Sequence, residues 1–381
     1  MASSAFAIRG RLLLGTQLEP GVVVISNGRI DVVYRDPISD GNLPERIVEA
    51  EIVSPGMIDL QVNGAGGMEI DDNPRNIEQV SRWSLQTGFT AWLPTIVSAA
   101  ASFYPRVFDA FANVDRAIGA TPLGLHLEGP FLAPARKGAH QLRHIEAAND
   151  NLFESWSDRD SIALVTLAPE RSGGLARIES LVERGIVASL GHTDATYDEF
   201  ATGVDAGATM ATHLFNAMSP MHHRNPGAMI ATMTDDRITA GIIPDAVHAH
   251  PATVRLALRA KGPDRIAIVS DMMSATGLGP GTYELGGQSV NVDETSARLE
   301  DGTLAGSILT MDQAIRNLVD WADVGAGTAL HMATCVPAKV LGDETRGRIT
   351  TGARADLTLW TDDLQVVTTI VNGVVAWAKP S

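Results

Sequence analysis

Eight short apolar runs, each ending in a polar signature, constrain the fold of this chain more than any other feature of its sequence. Helix-like stretches separate most of them, such as Ile77–Gly88, Ile178–Gly185, Pro251–Lys261 and Met311–Ala322. Strands that alternate with helices form a parallel sheet, and eight such units close into a barrel of about 250 residues. The pattern predicts an α/β fold, a (β/α)8 TIM-like barrel. The predicted strand segments are Met57–Gly64, Thr90–Val97, Leu123–Gly129, Ile162–Glu170, Ile186–Thr193, Thr209–Asn216, Thr239–His248 and Arg265–Asp271.

Both ends of the chain lack a helical period and carry signals for β-hairpins. Asn27-Gly28 and Asn372-Gly373 each separate two short apolar segments, and Asn-Gly is the strongest short-range signal for a tight hairpin. We expect residues 1–54 and 342–381 to form one small β-sandwich domain, with the barrel of residues 55–341 inserted between them. Two separate β appendages are the alternative. The Gly-rich stretch Gly277–Leu304 predicts a long hairpin after the eighth strand.

The composition argues against several classes of protein. A formal net charge of −16 disfavours a nucleic-acid surface, although a local cationic pocket still permits an anionic small molecule. The single cysteine, Cys335, rules out an internal disulfide and fits a reducing compartment. The sequence has no apolar run of about 18 residues and no signal-peptide order at its start. We therefore expect a cytoplasmic protein that binds no membrane.

Four of the predicted strands end at Glu128, His192, His213 and Asp271. In barrels of this kind the active site lies at the carboxyl ends of the strands, so these side chains should converge. Two imidazoles and one carboxylate form a ligand set that leaves an open position on a catalytic metal. Each residue alone is more often an ordinary polar residue, but together they favour a metal site at Glu128, His192 and His213. Asp271 is then expected to be the general base, its alternative being a helix N-cap.

The first predicted strand carries Gln61-Val62-Asn63, where metal-dependent hydrolases on this barrel often carry His-x-His. An amide is a poor ligand beside imidazole or carboxylate. We therefore expect one tightly held divalent metal per chain, with Gln61 marking a second position that would hold an ion only weakly. The donor set suits Zn²⁺ best, and Fe²⁺, Co²⁺ and Mn²⁺ are the alternatives.

Three further polar residues are candidates for contact with a substrate. His140 lies in the segment that follows Glu128 and is placed to donate to a developing oxyanion. His248 ends the seventh predicted strand, where a ligand contact is expected. Arg224 lies in a long polar segment, and a guanidinium there suits a phosphate or carboxylate through bidentate hydrogen bonds. The alternative for Arg224 is a solvated loop charge.

Motifs along almost the whole chain form a specific combination. HLEGPF at His126–Phe131 is followed by KGAH at Lys137–His140 and by THLFNAM at Thr212–Met218. Shorter segments complete the pattern: Pro55–Asp59, Gln61–Gly64, Gly191–Thr193, Arg224–Gly227, Ser270-Asp271 and Leu304–Ser307. Together these segments resemble the N-acetylglucosamine-6-phosphate deacetylases, a family within the amidohydrolase superfamily.

The resemblance implies a homodimeric hydrolase of amino-sugar catabolism. Such an enzyme removes acetate from N-acetyl-D-glucosamine 6-phosphate and leaves D-glucosamine 6-phosphate. Glu128, His192 and His213 would hold the metal that activates the attacking water. Asp271 would act first as the general base and then as the general acid.

The resemblance also implies which residues contact the substrate. His140 would polarise the amide carbonyl. His248 and Arg224 would bind the phosphate, with Arg224 reaching the active site of the partner subunit. The sugar contacts implied in the same way are Ala139, His140, Asn216, Ala217, Leu304, Ala305 and Gly306.

Two other functions stay open at this point. The same chemistry could serve a related substrate, such as N-acetylgalactosamine 6-phosphate or an N-acyl amino acid. Amidohydrolase-like barrels also persist as non-catalytic scaffolds, and Gln61 with Asn63 could be the trace of a decayed ligand pair. The presence of all four strand-end residues favours the enzyme over the scaffold.

Overall fold

The structure of the protein is a computed structural model that describes residues 5–35, 38–156 and 160–380. Eight strands pair in chain order, each parallel to its neighbour, so the predicted barrel is confirmed. The eighth strand closes on the first through a parallel bridge between Val62 and Met272. The barrel strands are Met57–Val62, Phe89–Val97, Leu125–Glu128, Ile162–Leu167, Val187–Leu190, Met210–Ala211, Thr239–Ile242 and Ile266–Ile268.

Helices follow the strands and cover the outside of the barrel. The helix Pro251–Lys261 has the predicted bounds because its ends carry clear signals: proline opens it, and the His250 ring accepts a hydrogen bond from the N–H of Ala252. Gly262, with φ at 76°, ends it. The helices are Pro74–Ser84, Tyr104–Ala112, Leu142–Ala147, Asp150–Glu154, Gly174–Glu183, Tyr197–Asp205, Ala228–Thr234, Pro251–Lys261, Met311–Trp321, Ala326–Ala333 and Cys335–Val340.

Short 3-10 turns and strand pairs complete the structure between the longer elements. The 3-10 turns are Asp40–Asn42, Leu85–Thr87, Pro134–Arg136 and Pro263–Arg265. Thr121–Pro122 pairs beside the second barrel strand, and Gly64–Ala65 pairs with Met68–Glu69 after the first. Every residue of the first strand is buried, as expected for a parallel sheet that is covered on both faces. The barrel is therefore a packed core, in which buried polar side chains such as His126, Thr166 and Ser189 are hydrogen-bonded.

Strands from both chain ends form one seven-stranded sheet, and both predicted Asn-Gly hairpins occur in it. The sheet folds over so that Arg29 bridges Arg354, which encloses an apolar core. We keep the domain bounds of 1–54 plus 342–381 and 55–341 as a proposal, in which residues 1–4, 36–37, 157–159 and 381 lie outside the described residues. The strands are Phe6–Leu14, Gln17–Ser26, Arg29–Tyr34, Ile47–Pro55, Leu357–Trp360, Val366–Val371 and Val374–Ala378.

The predicted excursion after the eighth strand is a three-stranded antiparallel sheet of Gly281–Leu285, Gln288–Val292 and Ala297–Arg298. Its tip is held against the barrel rim by Gly286, whose N–H donates to Glu69 (2.5 Å) and whose C=O accepts from Gln141 (2.6 Å). The excursion thus forms one wall above the barrel mouth. Among the described residues, no helix is long and apolar enough to cross a membrane.

Candidate active site

Four side chains that the sequence placed at strand ends meet above the barrel mouth. Glu128 is the last residue of the third strand, and the other three lie just beyond the fifth, sixth and eighth strands. Glu128 Oε1 lies 3.3 Å from His192 Nε2 and 3.0 Å from His213 Nε2, and the two Nε2 atoms are 3.1 Å apart. Asp271 is joined to this cluster through Gln61, whose Nε2 donates to both Glu128 Oε1 and Asp271 Oδ1 at 3.0 Å.

The spacing of the three donor atoms fits a single small cation. Zn²⁺ in a tetrahedral site binds nitrogen and oxygen at about 2.0–2.1 Å, which places neighbouring ligand atoms about 3.3–3.4 Å apart. The observed separations of Glu128, His192 and His213 are 3.0–3.3 Å, slightly shorter than that. The Nε2 atoms of His192 and His213 face each other, and at most one of them can carry a proton for a hydrogen bond between them. A cation between the three atoms would satisfy all of them.

Hydrogen bonds orient the ring of His192 as a ligand. Its Nδ1 donates to the carbonyl oxygen of Arg136 (2.8 Å), which leaves the lone pair on Nε2 directed at Glu128 and His213. Metal-binding histidines usually make such a hydrogen bond through their second ring nitrogen. The second nitrogen of His213, Nδ1, is buried and has no hydrogen-bond partner among the described residues. The ring of His192 is thus held more firmly than that of His213.

His140 has the opposite tautomer and is therefore a donor. Nitrogen and oxygen atoms of Glu128, His140 and His192 also lie within 4.8 Å of one another, which is close enough for a metal site. However, the backbone N–H of Ser98 donates to His140 Nδ1 (3.1 Å), so Nε2 of the neutral ring carries the proton. Burial lowers the pKa of His140 to about 3, helped by the neighbouring charge of His192. A neutral ring with a proton on Nε2 cannot ligate through that atom, and it can donate to a substrate oxygen.

Asp271 is a buried carboxylate with one oxygen already engaged. Its Oδ1 accepts from Gln61 Nε2 (3.0 Å) and Asn63 Nδ2 (2.7 Å), which leaves Oδ2 for proton exchange. Burial, with the nearby charge of Glu128, raises the pKa of Asp271 to about 7. Burial opposes ionisation of Glu128 as well, but the adjacent imidazoles of His192 and His213 hold the pKa of Glu128 well below its ordinary value. The two carboxylates therefore have different protonation behaviour, as expected when one is a ligand and the other an acid–base group.

A pocket of about 400 Å³ opens above this cluster. Its volume lies in the range of ordinary small-molecule sites. Most of the residues that the sequence predicted as substrate contacts line it, namely Ala139, His140, Asn216, Ala217, His248, Leu304 and Gly306. His248 is held in place by Asp245, whose Oδ2 lies 2.6 Å from His248 Nδ1. The structure thus brings the expected contacts to one side of the cluster of Glu128, His192, His213 and Asp271.

Two predicted contacts do not line this pocket. Ala305 is fully buried beneath its lining, where its N–H donates to the carbonyl of Ala297. Arg224 lies on the exposed surface, in a separate cleft of about 740 Å³ that also includes Asp194 and Tyr197. Its guanidinium contacts the ring of His223 at 2.8 Å. Within a single chain, Arg224 is therefore not part of the active-site pocket.

The sequence did not reveal two of the groups that tune the site. From the sequence alone, Asn63 marks only a position where related hydrolases often carry a metal-binding histidine. In the structure its side-chain amide donates a hydrogen bond to Asp271. The two-residue periodicity of the first strand could have indicated that Asn63 lies beside Gln61 at the site, because residues 61 and 63 point to the same face. Ser98 sets the tautomer of His140 through its backbone N–H, and no side-chain pattern announces a backbone donor.

Comparisons with known proteins agree with this geometry. Residues 52–376 match the Amidohydrolase family. N-acetylglucosamine-6-phosphate deacetylase from Bacillus subtilis (strain 168) is 35% identical over 371 residues, covering 94% of this chain and 93% of that protein. N-acetylgalactosamine-6-phosphate deacetylase from Escherichia coli O157:H7 is 34% identical over 378 residues, covering 97% and 98%. A mutant of the Mycobacterium smegmatis N-acetyl-D-glucosamine-6-phosphate deacetylase, solved with N-acetyl-D-glucosamine-6-phosphate, superposes with a TM-score of 0.92 at 34% identity, covering 98% of this chain and 100% of that chain.

Proposed function

This chain belongs to the amidohydrolase family, and from that premise we propose that it is a deacetylase of N-acetyl-D-glucosamine 6-phosphate. It hydrolyses the acetamide bond and releases acetate and D-glucosamine 6-phosphate, a reaction of amino-sugar metabolism. The observation that carries the proposal is the meeting of Glu128, His192, His213 and Asp271 beside the donor His140 in one pocket. The cytoplasmic location inferred from the sequence stays a prediction.

Glu128, His192 and His213 would hold one divalent metal. Their nitrogen and oxygen donors suit Zn²⁺ best, and the same set accommodates Fe²⁺, Co²⁺ or Mn²⁺. When bound, such a metal lowers the pKa of water and polarises a carbonyl oxygen. Gln61 supports a single ion, because its amide donates to Glu128 and Asp271 at the place where a second ion would need a ligand. We therefore propose one metal per chain, with only weak binding at Gln61.

Asp271 would move the proton during the reaction. Its Oδ2 accepts a proton from the attacking water and then delivers it to the nitrogen of the departing amine. The amides of Gln61 and Asn63 fix the carboxylate through Oδ1, so the exchanging oxygen keeps its direction. A pKa raised by burial to about 7 lets the same group accept and release a proton near neutral pH.

His140 and the pocket lining would orient the acetamide and the sugar. The proton on His140 Nε2 is donated to the acetyl oxygen, where negative charge develops. The proposed phosphate contacts are His248 of the same chain and Arg224. The proposed sugar contacts are Ala139, Asn216, Ala217 and the backbone of Leu304 and Gly306.

A homodimer would bring Arg224 to the phosphate. The guanidinium of Arg224 is exposed and lies in a cleft separate from the active-site pocket of its own chain. It can act on a substrate if it enters the pocket of a partner subunit. We therefore propose that each active site is completed by the other chain.

N-acetylgalactosamine 6-phosphate is the second candidate substrate, favoured by the 34% identical relative whose name carries that sugar. The test is acetate release by purified, Zn²⁺-loaded protein from both sugar phosphates, from unphosphorylated N-acetylglucosamine and from an N-acetyl amino acid. We expect the highest kcat/KM on N-acetylglucosamine 6-phosphate. A higher value on the galacto isomer would establish the second candidate, and no acetate from any of them would favour the scaffold.

A further inference from the structure

Glu170 follows the fourth barrel strand and has no part in the proposed metal binding or substrate contact. It closes the predicted strand segment Ile162–Glu170, and its side chain is only partly exposed. The carboxylate accepts two short hydrogen bonds, from Thr193 Oγ1 to Oε2 (2.6 Å) and from the N–H of Asp194 to Oε1 (2.7 Å). Both donors directly follow His192 in the chain. Through these two hydrogen bonds, Glu170 therefore binds the segment that carries His192, a proposed metal ligand.

Contacts from outside that segment must stabilise it, because its backbone is strained. His192 has φ at 48°, in the left-handed region that residues with a side chain seldom adopt. A strained conformation persists when the surrounding contacts determine it. Thr193 supplies one such contact, its N–H donating to Ala217 C=O (3.0 Å). The carboxylate of Glu170 supplies two more.

A second path joins Glu170 to the ring of the same histidine. Asp194, whose N–H is bound by Glu170, forms an ion pair with Arg136 Nε at 2.7 Å. The carbonyl oxygen of Arg136 accepts the hydrogen bond from His192 Nδ1 at 2.8 Å. The backbone and the ring of His192 are thus both linked by hydrogen bonds and an ion pair, through Thr193, Asp194 and Arg136, to one carboxylate in the loop after the neighbouring strand.

We propose that Glu170 is a positioning residue that sets the backbone and ring orientation of His192 for metal binding. It acts through Thr193, Asp194 and Arg136 and touches neither metal nor substrate. The inference rests on the proposed function, because it takes His192 to be a metal ligand. Groups that orient metal ligands in this way commonly alter metal affinity by about 10–100-fold when they are changed.

The chain offers a closely matched control for a purely structural effect. Glu199 also accepts from a threonine hydroxyl and a backbone N–H, those of Thr196, at 2.9 and 2.8 Å. These bonds cap the helix Tyr197–Asp205, only a few residues beyond His192. They have no link to the ring of His192. Glu199→Gln therefore perturbs the same loop with the same chemistry but leaves the proposed path intact.

The experiment measures Zn²⁺ affinity of the full-length wild type, Glu170→Gln and Glu199→Gln by competition with a chromophoric chelator. We expect Glu170→Gln to weaken Zn²⁺ binding about 10–100-fold, with Glu199→Gln close to wild type. The absorption of the Co²⁺-substituted protein should change in the first variant and not in the second. Metal-free unfolding temperatures should fall to a similar extent in both.

Each outcome decides the inference. Equal Zn²⁺ affinities in both variants would overturn it and leave the proposed function standing. A wild type that binds no Zn²⁺ would overturn both. If Glu170→Gln does not fold, Thr193→Val is the second variant. It removes the hydrogen bond from Thr193 Oγ1 to Glu170, together with the one that Oγ1 accepts from the N–H of Ala195 (3.0 Å), at nearly constant shape, and a smaller loss of affinity is then expected. No loss in that variant would also contradict the role of Glu170.

Discussion

At the scale of single residues, strained backbone accompanies the proposed chemistry. His192, His213 and Asp271 have φ angles of 48°, 29° and 52°. Positive φ is uncommon for such residues and concentrates at functional sites, where the surrounding structure enforces it. Here each bend turns the chain out of its strand and aims the side chain over the barrel mouth. The free energy of this strain is offset by contacts such as those of Glu170.

The substitution Asp271→Asn should abolish most turnover and keep the fold. The oxygen of the new amide can still accept hydrogen bonds from Gln61 and Asn63, but the amide cannot take up the proton of the attacking water. General acid–base catalysis typically contributes about 10²–10⁴-fold, so kcat should fall by that amount. The measurement is kcat on N-acetylglucosamine 6-phosphate, with metal content and unfolding temperature as controls. A variant with near-native kcat would remove Asp271 from the mechanism.

The sequence could predict the chemistry of these residues but not their conformation. Glu128, His192 and His213 could be proposed as metal ligands because their residue types fit a metal and because they follow apolar runs. Their left-handed backbone was not recognisable, since His and Asp adopt it more often than most residues but still only in a minority of cases. The tautomer of His140 depends on the backbone N–H of Ser98, which carries no sequence signal. Residue types thus indicate a role, whereas tertiary contacts determine the geometry of the side chains.

At the scale of elements, the apolar runs located every barrel strand and overestimated most of their lengths. The sixth predicted strand, Thr209–Asn216, forms ladder pairs only at Met210–Ala211. Beyond Ala211 the chain turns, with φ at 29° in His213 and 82° in Phe215. A hydrophobic pattern indicates which residues are buried, and the residues at the barrel rim are buried although they are not part of a strand. The polar ends of the runs were therefore loops that carry the site.

The two Asn-Gly hairpins were predicted separately, but their contact was not. A Cβ on Gly373 would lie 2.9 Å from Gly28 Cα, so the two turns pack tightly against each other. The turns come from opposite ends of the chain, and this packing supports one β-sandwich rather than two appendages. Local turn signals cannot predict such a contact, because it depends on the paths of all the strands between them.

Gly373→Ala should destabilise the protein more than Gly15→Ala. Both glycines have positive φ, 73° and 67°, so both substitutions introduce a similar backbone strain. Only at Gly373 would the new Cβ meet backbone, since nothing lies within 4 Å of a Cβ at Gly15. We expect a loss of about 1 kcal/mol for Gly15→Ala and about 2–3 kcal/mol for Gly373→Ala in urea unfolding. Equal losses would show that the two turns are not tightly packed in solution.

At the scale of the whole molecule, a chain with a net charge of −16 must bind an anionic sugar phosphate. Without a bound metal, the carboxylates of Glu128 and Asp271 in the active-site pocket repel a phosphate. Two arginines also line the pocket: Arg136, whose charge is paired with Asp194, and Arg298, whose guanidinium donates to Ser296 Oγ and the carbonyl of Gly302. In the proposed dimer, Arg224 of a partner subunit would add a further positive charge for the phosphate. Sequence could supply Arg224 as a candidate but not its distance from the pocket.

Replacing Arg224 by alanine should weaken the use of phosphorylated substrate selectively. The kcat/KM for N-acetylglucosamine 6-phosphate should fall about 10–100-fold, as expected from the loss of one charge-assisted contact. Turnover of unphosphorylated N-acetylglucosamine should change little. Arg259→Ala, at an exposed position on the helix Pro251–Lys261, is the control for loss of a positive charge. Equal losses of kcat/KM on both sugars would show that Arg224 does not bind the phosphate group.

The most direct test of the central claim joins metal content to turnover. Purified protein is stripped with a chelator and titrated with Zn²⁺, while bound metal and acetate released from N-acetylglucosamine 6-phosphate are measured on the same samples. The site of Glu128, His192 and His213 predicts no turnover without metal and full turnover at about one metal per chain. Acetate release that persists in metal-free protein, or that never appears in metal-loaded protein, would contradict the account.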